Sequence, residues 1–167
     1  MKLFFQTFKI PSFDKYWIAY GGFKAIGQSP YFRISLLIAF LFIFGNTKNW
    51  FDIPLAVLPN ILGFSVGSYA ILLALGNSDF WKLLTKKDDN EVTPYMEINA
   101  TFVHFIIMQL IAIMMALFSK LFCLDGFTFT FIGLFFFIYA LLSTLAAVLA
   151  ILTLSSWYQD YLNSSSN

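Results

Sequence analysis

The sequence predicts an all-α polytopic membrane protein, with four transmembrane helices preceded by an N-terminal amphipathic helix and both termini in the cytoplasm. Three observations predict it. Hydrophobic residues make up 59% of the chain and charged residues 11%, where a soluble domain carries about 25% charged residues; mean hydropathy is +0.76. The apolar residues fall in long blocks, and a block of about 20 apolar helical residues crosses a hydrocarbon layer. Lys and Arg gather on segments that alternate threading brings to one side of the membrane, as cytoplasmic loops require. The 167 residues divide into a cytoplasmic or interfacial amphipathic segment (1–30), a four-helix transmembrane domain (31–156) and a cytoplasmic tail (157–167).

At the amino end, Gln6, Lys9, Pro11 and Asp14 break the apolar run that begins at Leu3, so no signal-peptide core is predicted. Phe13, Tyr16, Trp17, Tyr20 and Phe23 then recur at helical spacing after Ser12, an expected N-cap, with Asp14, Lys15 and Lys24 available to water. This pattern predicts an amphipathic helix on the cytoplasmic leaflet. Gly21, Gly22, Gly27 and Pro30 supply joints to the first span.

The first apolar block, from Tyr31 to Gly45, covers only about 22 Å as a helix and is the shortest of the four. Arg33 is expected to snorkel to one interface, with Trp50 and Phe51 as anchors at the other; a re-entrant segment is the alternative. Pro54 to Leu75 forms the second block, with a kink expected near Pro59. Ile98 to Phe118 and Phe127 to Leu154 contain no Asp, Glu, Lys or Arg and are long enough to cross. Lys2, Lys9, Lys15, Lys24, Arg33, Lys82, Lys86 and Lys87 fall on one side of this threading, against Lys48 and Lys120 on the other. That bias requires two crossings before the 77–97 loop, and so supports the short first span. Trp157, Tyr158 and Tyr161 are expected at the interface, ahead of a disordered Ser/Asn tail.

The third span carries the most informative face. Thr101, His104, Met108, Ala112, Met115 and Ser119 lie within about 80° of one another on a helical wheel and form an inward stripe. Gln109 lies beside it as an interhelical hydrogen-bonding group. Two readings stand: these groups tie neighbouring helices together, or they line a pore. Gly63 and Gly67 form a GxxxG on the second span, and Ala140, Ser143 and Ala147 share a face on the fourth. Such faces admit close helix packing, within one subunit or between copies. The 77–97 loop, with Lys86-Lys87 followed by Asp88-Asp89-Asn90-Glu91, is expected as a solvated turn. Together with Trp17 and Lys24, the lysines Lys82, Lys86 and Lys87 are its candidate gate or ligand contacts, suited to an anionic ligand, a partner or lipid headgroups.

Catalysis is not expected. The chain has one His, one Cys and one Arg, and carries no GxSxG, HExxH or phosphate loop. His104 has no visible metal-binding companion and Cys123 none for a disulfide, so no catalytic residue, metal or cofactor is assigned. Asn99 and His104 match the spacing of a degenerate HEPN-type ribonuclease motif, but the arginine that motif needs is missing.

The segments SYAILLALGNSDFW, from Ser68 to Trp81, and TPYMEINATFVH, from Thr93 to His104, resemble small four-span bacterial proteins of anti-phage defence loci, such as the membrane effectors of Hailong-type systems. This resemblance implies a homo-oligomeric ion channel of the bacterial inner membrane, with a tetramer as the expected assembly. It further implies opening by a nucleotide or oligonucleotide signal from a partner enzyme. The competing expectation is a non-conducting membrane scaffold or exclusion protein that binds a partner through the aromatic N-terminal segment and the 77–97 loop.

Overall fold

The computed structural model describes residues 11–45, 47–74, 78–86 and 92–165, and every regular element among them is helical. In chain order they are α1 (Pro11–Tyr20), α2 (Gly22–Gln28), α3 (Pro30–Phe42), α4 (Asp52–Ala74), α5 (Ser78–Leu84), α6 (Pro94–Phe122) and α7 (Phe127–Ser165). Three of them, α4, α6 and α7, are long and apolar enough to cross a membrane, and the bent pair α2–α3 makes up to a fourth. Phe64, Leu121 and Leu152 are among many large apolar side chains that point outward, a surface suited to hydrocarbon rather than water.

The four apolar helices lie side by side in the order α3, α7, α6, α4. The Asp52–Lys120 ion pair at 2.9 Å and the seating of Trp50 on Gly133 put the α3–α4 and α6–α7 connections at one end. At the other end α1 packs on the start of α6, and α5 packs between α6 and the last turns of α7.

The ends of these helices follow from their residues. Thr93 caps α6, its hydroxyl accepting from the Met96 N–H at 3.3 Å, and Pro94 occupies the first turn where no N–H is needed. Cys123 stops α6 in the left-handed conformation at φ 50°. Gly21 and Gly22, with φ of 90° and 61°, make the joint between α1 and α2 that a residue with a Cβ adopts only with strain. At Ser29 the chain bends again, by 59° between α2 and α3, because Pro30 excludes the helical conformation from the residue before it.

Several expectations are corrected here. Ser12 lies inside α1 rather than capping it. The short first block is confirmed as short: α3 has 13 residues and spans about 20 Å, so it crosses a bilayer only in combination with α2. Trp50 is no interfacial anchor. It is 5% exposed, in a core with Ala39, Ala116 and Leu134, and its indole covers the face of Gly133 so closely that a Cβ there would overlap it. The 77–97 loop is more than a solvated turn, since α5 buries Phe80 and Leu84 against Leu154, Tyr158 and Tyr161. The Ser/Asn tail expected to be disordered is helical over its described part: α7 runs unbroken through 39 residues to Ser165, about 58 Å.

Candidate functional site

The stripe on α6 faces protein. His104 and Ser119 are buried, and Thr101, Met108 and Met115 are half-buried. Around His104 the chain assembles a closed aromatic clasp from three separate elements. The Tyr16 hydroxyl on α1 meets His104 Nδ1 at 2.7 Å, and the Tyr139 hydroxyl on α7 meets Nε2 at 2.9 Å. Tyr20, one turn beyond Tyr16, stacks on the imidazole with ring centroids 3.9 Å apart and planes 14° from parallel.

A neutral imidazole has one donor and one acceptor nitrogen, so in either tautomer one tyrosine donates to the ring and the other accepts from it. Both nitrogens are thereby satisfied in a place that admits little water, where an unpaired polar atom costs about 1–3 kcal/mol. Burial, and secondarily the neighbouring Tyr20, pushes the Tyr16 hydroxyl up to about 12; burial also raises Tyr20. Beside the clasp lies a small cavity of about 30 Å³, lined by Ser29, Tyr31, Thr101, Phe105, Ser143 and Ala146 as well as by Tyr20, His104 and Tyr139. That is room for one water molecule.

One helical turn deeper, Gln109 joins three helices. Its Nε2 donates to Ser65 Oγ on α4 at 3.3 Å and to Thr144 Oγ1 on α7 at 3.1 Å, while its Oε1 is buried without a protein partner. Asn99 is likewise engaged in packing. Its Oδ1 accepts from Tyr69 at 2.7 Å and its Nδ2 donates to the Tyr95 carbonyl.

The two small-residue faces part company. Ala140, Ser143 and Ala147 are buried in the seam that α7 shares with α6 and its neighbours. Gly63 and Gly67 are exposed, and a Cβ added at either would meet nothing within 4 Å. The α4 face is therefore unused within the subunit.

Of the gate or ligand candidates, Trp17 is half-buried and packs edge-on to Phe23 at 4.7 Å, Lys24 and Lys86 are exposed, and Lys82 pairs with Asp79 at 2.9 Å on the surface of α5. Lys87 and the acidic run at 88–91 lie outside the described residues. The structure thus brings His104 together with the N-terminal helix, with Lys24, Lys82 and Lys86 outside the clasp. Sequence reasoning missed Tyr16, Tyr20 and Tyr139 as partners of His104. The only available signal was the recurrence of tyrosines on an aromatic helix face, which does not say what that face meets.

Neither protein-family models, nor curated proteins, nor solved structures give a match to this chain.

Proposed function

We propose that this chain is a homo-oligomeric ion-conducting effector of the bacterial inner membrane, with four spans, cytoplasmic termini and an N-terminal helix that latches it shut. The observation that carries the reading is the clasp. A helix outside the spans is held by two tyrosines against the one histidine of α6, and the double-glycine joint behind it gives that helix a hinge. Releasing α1 would uncover a polar end of the α6–α7 seam. The outward Gly63–Gly67 face offers the contact for assembly, as a tetramer, because it admits close approach of another helix. Lys24, Lys82, Lys86 and Lys87 stand on the same side by charge bias and suit an anionic, nucleotide-derived signal in anti-phage defence, the role that the resemblance to Hailong-type effectors implies.

Purified protein in planar bilayers tests this. Wild type is expected to be silent without its signal, whereas Tyr16→Phe combined with Tyr20→Ala conducts constitutively. Silence of both that variant and His104→Ala, in protein that remains folded and oligomeric, would overturn the channel. A second reading, the non-conducting scaffold, is favoured by a specific observation: both ring nitrogens of His104 and the Nε2 of Gln109 find partners inside one subunit. A monomer in mild detergent that never conducts would establish it.

A further inference from the structure

The bend between α2 and α3 holds the only arginine of the chain, Arg33, in an unusual setting. Its Nε donates at 3.2 Å to the carbonyl of Gly27 in the last turn of α2, so the guanidinium closes a helix end whose carbonyls lack helical donors. That bond uses the Nε donor of an exposed guanidinium, which has four further N–H donors. Directly beside it, a groove of about 350 Å³ runs between α3 and α7, walled by Leu36, Leu37, Phe40 and Phe131. From Arg33 to Phe40 the groove follows about 10 Å of helix.

We infer that this groove is a binding site for an anionic phospholipid, with the phosphate on Arg33 and an acyl chain between α3 and α7. The two halves of the site match the two halves of that ligand. A planar, always-charged fork recognises phosphate oxygens bidentately, and the apolar walls below accept hydrocarbon. The position agrees as well: Arg33 lies in the first turn of the apolar α3, beside the bend from α2, and the charge bias assigns that end of α3 to the cytoplasm, where anionic lipid attracts basic residues. The occupant would brace the one span that is too short alone and bent at its entry. The inference rests on the membrane character of the chain and is independent of conduction.

Delipidated protein in non-ionic detergent, followed by tryptophan fluorescence on heating and by native mass spectrometry, tests it. Phosphatidylglycerol is expected to raise the melting temperature and remain bound at one or more copies, while phosphatidylcholine and inorganic phosphate do neither. Arg33→Gln should weaken phosphatidylglycerol binding about fivefold to tenfold, and Arg33→Lys should weaken it less. Phe131→Ala, which keeps the charge, should shorten retention of the lipid and serves if Arg33→Gln does not fold. Equal responses to the two lipids, a full response to inorganic phosphate, or wild-type binding by Arg33→Gln would each overturn the site.

Discussion

At the residue scale the decisive side chains are the polar ones that the apolar helices enclose. Tyr16→Phe removes one hydrogen bond to His104 and leaves a ring nitrogen unpaired, which costs on the order of 1 kcal/mol. Tryptic cleavage at Lys15 and Lys24 should then rise about fivefold, the population change such an energy produces. The same contact responds to alkali. Burial disfavours the phenolate of Tyr16, so its value rises from 10.0 to about 12; docking of α1 is complete below pH 10 and is lost as pH climbs through about 12. The change in Trp17 fluorescence across that window checks it, and an unchanged signal would contradict the buried position of Tyr16. Gln109 is predicted to behave differently. Ser65 and Thr144 already donate to the Ile61 and Ala140 carbonyls, so replacing Gln109 by Leu leaves neither hydroxyl stranded and removes the unpaired Oε1. Gln109→Leu should cost less than about 1 kcal/mol in thermal unfolding, or stabilise. The periodicity of α6 made His104 and Gln109 legible from sequence as inward groups. Their partners were not, because Tyr16 and His104 are 88 positions apart, and an aromatic face reads alike whether it meets lipid or protein.

At the scale of the element, glycines of identical composition have opposite roles. Gly133 is covered by the indole of Trp50, so Gly133→Ala forces the ring or α7 to move, at about 1–3 kcal/mol. Gly67→Leu meets open space and should leave the melting temperature of the subunit unchanged while abolishing oligomers in cross-linking or size-exclusion measurements. Persistence of the oligomer would remove α4 from the interface. Sequence spacing marked Gly63 and Gly67 as a packing face but carried no information on whether the subunit itself used it. The hidden helices, α5 and the last turns of α7, had a fainter trace. Phe80 and Leu84 repeat at four residues, as do Trp157 and Tyr161, yet the neighbouring charge run and Ser/Asn composition suggested solvent. Packing between α5 and α7 overrode composition there.

For the whole molecule, the alternating directions of α3, α7, α6 and α4 and the uneven distribution of Lys and Arg make a joint statement about orientation. Cys123, the single cysteine, is exposed at the turn after α6, the end that holds Lys120 and Asp52. A membrane-impermeant maleimide added to spheroplasts should label it without lysis, and labelling only after lysis would invert the topology. Blocks of hydrophobic length conveyed the long helices α4, α6 and α7, and the joint read at Pro30 is the 59° bend between α2 and α3; what the sequence did not convey is that the residues just before the bend are helical, because Gly21, Gly22 and Gly27 read as a linker. The continuous α7 has a practical corollary. Because the helix passes without a break from the apolar bundle to Ser165, a soluble protein joined in helical phase beyond Tyr161 would be held at a defined angle to the bundle instead of swinging on a tether. Each added residue would rotate that cargo by about 100° around the helix axis and carry it about 1.5 Å outward, a screw thread by which a small membrane protein could be given a rigid handle for imaging.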